Sequence, residues 1–242
     1  MLLQIFKTSQ PLSWILIITI IIILRAVLFF TVNIQLHPIE NETITSGFTL
    51  QFANSIPWLS HLVSTLIILF SGLFFNKIAQ NINILKGIHY LLFLFFGIFI
   101  SFNPENLLLT PFVISVPFSL FSLNLILSQP KGSVSLASLF NASFFIGLGT
   151  LIYFPSIALF PILMISLFYL NQPKWRYFLV ASIGFLTPWL FNDAILFSFS
   201  VDQALIFSSW STNFTAFQVS NYFPFYASLL LFGLILFQPY FY

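Results

Sequence analysis

The sequence predicts an all-α integral membrane protein with about eight transmembrane helices, both termini cytoplasmic, and short interfacial helices in two external loops. Three observations lead there. Only 5% of the 242 residues are charged and 59% are hydrophobic, whereas a soluble domain is about 25% charged. Apolar runs long enough to cross roughly 30 Å of hydrocarbon recur along the chain. The few charges alternate in sign from one connecting loop to the next. This composition excludes a water-soluble domain, a disordered chain and a nucleic-acid binder with a basic face. Cysteine is absent, so disulfides, thiolate catalysis and Cys-ligated metals are excluded, and no cofactor is expected.

The whole chain, 1–242, reads as one polytopic membrane domain. The first span is placed at 12–31, and its apolar run is too long for a cleaved signal segment. The second, third and fourth are placed at 59–76, 88–102 and 107–127. Residues 132–173 carry no charge. As a single helix they would reach about 60 Å, twice the hydrocarbon thickness. Pro155 breaks the stretch, giving spans at 135–152 and 156–170. The seventh and eighth are placed at 177–191 and 222–237.

Charge sets the orientation. With the N-terminus inside, Lys7, Lys77, Lys86, Lys131, Lys174 and Arg176 all fall in cytoplasmic segments, as the positive-inside rule requires. Glu40, Glu42, Glu105, Asp193 and Asp202 all fall outside. Merging the fifth and sixth spans would move Lys174 and Arg176 outside, so charge supports splitting them.

Arg25 is the exception, about thirteen residues into the first span. An ionisable residue there needs a partner. It either snorkels or holds a structural contact to a carbonyl or to Asp193, or it binds the phosphate of a lipid or substrate through its guanidinium. The external loops carry the remaining polar chemistry. Glu40 and Glu42, at i and i+2, are candidates for metal ligation or general-base work, with Asp193 a third candidate; two carboxylates alone make a weak metal site. Phe48, Phe52 and Ile56 recur at helical spacing, predicting an interfacial helix. Asp202 is placed as the cap of a second short helix through Gln203-Ala204-Leu205-Ile206-Phe207. His37, His61 and His89 form no metal-ligand spacing. Ser135, Ser138, Ala142 and Gly147 mark the fifth span as the most buried helix. Pro111, Pro117, Pro161 and Pro188 are expected to kink their spans.

The stretch Leu139-Phe140-Asn141-Ala142-Ser143-Phe144-Phe145-Ile146-Gly147-Leu148-Gly149-Thr150-Leu151-Ile152-Tyr153-Phe154-Pro155-Ser156 resembles part of an uncharacterised Bacteroidota polytopic inner-membrane family. Lys174-Trp175-Arg176-Tyr177 and Gly184-Phe185-Leu186-Thr187-Pro188 resemble its following segment. The resemblance implies a multi-pass protein of the bacterial inner membrane and no particular activity. Members run longer, so a shortened form of the family is expected. A looser architectural similarity links the Glu40/Glu42 loop to polytopic glycosyltransferases that use lipid-linked sugars. The first functional expectation is a non-catalytic subunit or scaffold of an envelope assembly, secretion or motility system, in contact with the bilayer and partner membrane subunits. The alternatives are a glycosyltransferase with Arg25 on a lipid phosphate, and a transporter or flippase.

Overall fold

Pro11, Pro57 and Pro111 each open a helix, because proline's missing N–H is no loss in a first turn. The computed structural model describes residues 11–32, 44–82, 90–129, 134–170 and 174–198. In chain order the helices are α1 (Pro11–Thr31), α2 (Ile44–Ser55), α3 (Pro57–Asn81), α4 (Leu91–Ser101), α5 (Pro111–Leu127), α6 (Leu136–Ile152), α7 (Leu159–Tyr169) and α8 (Trp175–Ser198). Two 3-10 turns, Pro104–Leu107 and Phe154–Ala158, join α4 to α5 and α6 to α7. No strand occurs among the described residues.

Trp14–Thr31, Pro57–Asn81 and Trp175–Ile195 are each long and apolar enough to cross a membrane. The other apolar helices are shorter. α4 and α7 have 11 residues each, about 16 Å of helix. The third expected span therefore contracts at both ends. Its far end stops at Asn103-Pro104, where the Asn103 side chain accepts from the Glu105 N–H at 3.2 Å and starts a 3-10 turn. α3 instead extends beyond its expected end and carries Lys77 on an exposed face of its last turns.

Contacts between side chains give the directions of the helices. Ile21 lies against Gly97, and Arg25 bonds Ser101, so α1 and α4 run parallel. Arg25 also bonds Ser64, while Ile17 and Ile21 pack with Leu69, so α3 opposes α1. Ser60 accepts from the Leu109 N–H, and the Phe74 ring lies 4.8 Å from Phe121, so α5 follows α3. Phe112–Tyr153 and Phe121–Phe145 contacts turn α6 against α5. Trp189 bonds Thr150, and Gly184 abuts Phe140, so α8 follows α6. Phe160–Phe185 and Phe168–Phe178 contacts make α7 oppose α8. Leaving α2 aside, successive helices alternate in direction from α1 to α8.

These directions sort the charge. Lys77 at the end of α3 and Lys174 and Arg176 at the start of α8 share one end of the bundle. Glu105, Asp193 and Arg25 lie toward the other.

In lipid there is little hydrophobic drive between helices, so close packing of small residues does the work. α6 is the central helix of the second half, packed on α5 and α8. Its buried face is Leu139, Ala142, Ser143, Ile146, Gly147, Gly149 and Thr150. A Cβ on Gly147 would meet the Phe185 carbonyl and, at 3.0 Å, the Pro188 ring. Exposed hydroxyls on these helices return to their own backbone, as Thr19 does to the Ile15 carbonyl and Thr187 to that of Ile183.

One expectation changes. Pro111 opens α5 and Pro161 sits in the first turn of α7, where proline is tolerated; Pro117 and Pro188 alone are helix-interior. A helix forms over the expected stretch as α2 and packs on α3, α5 and α6; of its described side chains Thr49 and Ala53 are buried and Phe52 is half-buried, while Ile56, just past its end, is exposed. The eighth span, the Gln203–Phe207 helix and Asp202 lie outside the described residues.

Candidate functional site

The polar chemistry gathers where α1, α3, α4 and the first 3-10 turn meet. Arg25 is fully buried there. Its Nε donates to Thr65 Oγ1 at 2.9 Å. Nη2 donates to Ser64 Oγ and the Asn106 carbonyl, both at 2.9 Å, and to the Leu107 carbonyl at 3.3 Å. Nη1 reaches Ser101 Oγ at 3.4 Å. No carboxylate is among these partners.

Local sequence builds each acceptor. Ser60, His61, Ser64 and Thr65 lie on one face of α3, because i, i+1, i+4 and i+5 are neighbours on a helix. The Asn103-Pro104 break stops α4 early, so the carbonyls of Asn106 and Leu107 are released from helical bonding and turned toward α1. The turn is pinned from several sides. Ser64 Oγ donates to the Asn106 carbonyl at 2.9 Å, and the Leu109 N–H donates to Ser60 Oγ at 2.7 Å. His61 Nδ1 donates to the Leu107 carbonyl at 2.9 Å, its ring stacked on Phe29 with centroids 4.5 Å apart. Asn106 Nδ2 closes the turn on the Ile100 carbonyl at 3.2 Å.

A buried charge is tolerated only when its hydrogen-bonding capacity is met. Here it is met mostly by hydroxyls and carbonyls, and the C-terminal end of α4, with its partial negative charge, lies alongside. Arg25 does not snorkel to the surface; its Nε and Nη2 donors are taken within the fold, and Nη1 makes one longer bond, to Ser101.

The other residues singled out by sequence fall elsewhere. Asp193 sits on α8, one turn beyond Trp189, half-buried, with Oδ1 enclosed and without a hydrogen-bond partner among the described residues. It is not bonded to Arg25. Glu40 and Glu42 lie outside the described residues. Among the described residues, no group of three His, Cys, Asp or Glu side chains converges on a metal position. Sequence reasoning singled out Arg25 and missed Ser64, Thr65, Ser101, Asn106 and Leu107. The readable signal was the polar face of α3 opposite a lone intramembrane arginine.

Comparison with family models, curated proteins and solved structures finds no match to this chain. The site therefore has to be interpreted from its own chemistry. All five acceptors belong to neutral groups, and the donors of Nε and Nη2 are fully committed. Such a node ties α1 to the α3–α4–turn unit.

Proposed function

We propose that the chain is a multi-pass protein of the bacterial inner membrane, with eight spans and both termini cytoplasmic, acting as a non-catalytic subunit or scaffold of an envelope system. The observation that carries this reading is the state of Arg25. The one charged side chain deep in the first helix is spent on internal bonds, which suits a structural part better than an exposed reactive group. The alternating helix directions and the segregation of Lys77, Lys174 and Arg176 from Glu105 and Asp193 support the topology. Broad apolar faces on α1 (Ile15, Ile23, Val27, Phe30) and α8 (Ile183, Leu190, Phe191) suit lipid and partner helices. The resemblance to a Bacteroidota inner-membrane family belongs to the same proposal.

The test is purification of the native protein in mild detergent, with identification of the chains and lipids that accompany it. A membrane chain co-eluting in fixed stoichiometry is the expected result. A lone monomer that turns over a lipid-linked sugar overturns the reading in favour of the glycosyltransferase alternative. A lone monomer that moves a solute across vesicles overturns it in favour of the transporter.

A further inference from the structure

The three hydroxyls that accept from Arg25 each give their own proton to a backbone carbonyl, away from the guanidinium. Ser64 Oγ gives its proton to the Asn106 carbonyl, Thr65 Oγ1 gives its proton to the His61 carbonyl at 2.8 Å, and Ser101 Oγ gives its proton to the Gly97 carbonyl at 2.6 Å. Asn106 Nδ2 is likewise turned to the Ile100 carbonyl. What remains on the inner side is oxygen lone pairs alone: three hydroxyls and the carbonyls of Asn106 and Leu107. An enclosure with acceptors only is suited to a cation and repels an anion.

We propose that these five oxygens form a binding site for guanidinium-class cations, built wholly by α3, α4 and the first 3-10 turn, with Arg25 of α1 as its tethered occupant. Three features specify the class. The oxygens bond three different nitrogens, so they surround an extended planar group rather than converge on a point, as a sodium or ammonium ion would need. The hydroxyl protons are already committed to carbonyls of α3, α4 and the turn, so the site does not depend on α1 to orient them. Residue 25 supplies none of the acceptors. The fit of α1 to the remainder of the bundle is therefore ligand binding in which the ligand is covalently attached. This inference is independent of the scaffold reading, since it concerns what the pocket holds and not what the protein serves.

Removing the tethered cation should leave a site that a free one can fill. The full chain carrying Arg25→Ala is purified in mild detergent, and its thermal unfolding is followed by tryptophan fluorescence. Methylguanidinium chloride is titrated at millimolar concentrations, with methylammonium chloride and sodium chloride at the same ionic strength as controls. The expected result is a lower Tm for Arg25→Ala than for the unaltered chain, and a saturable rise with methylguanidinium alone. The unaltered chain, whose site is filled, should not respond. No rise, an equal rise with either control salt, or an equal rise in the unaltered chain would overturn the proposal. Should Arg25→Ala fail to accumulate, Arg25→Lys and Arg25→Met decide the matter. A site shaped for a planar group with three nitrogens is not filled by an ammonium, so Lys should fall well below the unaltered chain, as Met does; a Lys variant with the Tm of the unaltered chain would overturn it.

Discussion

Thr65 Oγ1 accepts from Arg25 Nε at 2.9 Å and donates its own proton to the His61 carbonyl at 2.8 Å, one turn back on α3. The second bond sets the first. A threonine hydroxyl in a helix can satisfy itself on the i−4 carbonyl, and in doing so it leaves its lone pairs facing outward from α3. A residue that would be unremarkable on a lipid-facing turn becomes an acceptor when an arginine stands opposite.

Thr65→Val keeps the shape and removes the acceptor, leaving a charged N–H buried and unpaired. The expected cost is about 1–3 kcal/mol, read as a lower Tm in detergent. Thr65→Ser keeps the oxygen and should stay close to the unaltered chain. A Val variant as stable as the Ser variant would mean that Nε finds another partner.

The seam between α6 and α8 makes a second prediction. A Cβ on Gly184 would meet the Phe140 carbonyl at 2.7 Å as well as Ser143 Oγ, and neither belongs to a side chain end that can swing clear without breaking a bond that Ser143 makes to Phe140. Gly184→Ala should therefore destabilise by about 1–3 kcal/mol through overpacking. Gly149 is the control on the same seam-forming helix. Its added Cβ would find only ordinary contacts, the nearest being Phe118 Cβ at 3.8 Å. Gly149→Ala should be neutral or stabilise by up to about 1 kcal/mol from helix propensity. Unfolding in graded denaturing detergent separates the two.

Trp189 Nε1 donates to Thr150 Oγ1 at 3.1 Å, and Thr150 passes its proton to the Gly147 carbonyl at 2.7 Å. Trp189→Phe removes the donor but leaves Thr150 satisfied, so the loss should be near 1 kcal/mol. Pairing it with Thr150→Val in a double-mutant cycle should give a coupling energy of at least about 0.5 kcal/mol. Strict additivity would show that the indole is held by packing alone.

These pairs show where sequence is a good guide and where it is not. Helix order is legible because lipid demands long apolar runs and Pro57, Pro111 and Pro155 punctuate them. The centrality of α6 is legible because Ala142 and Gly147 advertise close approach. The partners of Arg25 are not, for two physical reasons. Ser64, Thr65 and Ser101 look like any small hydroxyls in membrane helices, and their role depends on which helix faces them. Asn106 and Leu107 contribute backbone carbonyls, which have no side-chain signature; only the break at Asn103-Pro104 frees them. The end of α4 was legible to within one residue, because Asn103-Pro104 follows the last ladder bond, from the Phe102 N–H to the Ile98 carbonyl at 3.1 Å.

Topology gives the last prediction. The chain has no cysteine, so single introduced thiols report side exposure without background. Glu105 lies exposed on the first 3-10 turn and Lys174 lies exposed just before α8. The helix directions put these positions at opposite ends of the bundle: α4 runs toward Glu105, α5 returns, α6 runs out again, α7 returns, and α8 starts from the Lys174 end. Under the proposed orientation, with Lys and Arg retained inside, Glu105→Cys should react with a membrane-impermeant maleimide added to the outer face of sealed cells or spheroplasts. Lys174→Cys should react only after permeabilisation. The opposite pattern would invert the orientation while leaving the alternation intact. Labelling of both from one side would break the alternation itself, and would mean that one of α5, α6 and α7, the helices between the two positions, does not cross.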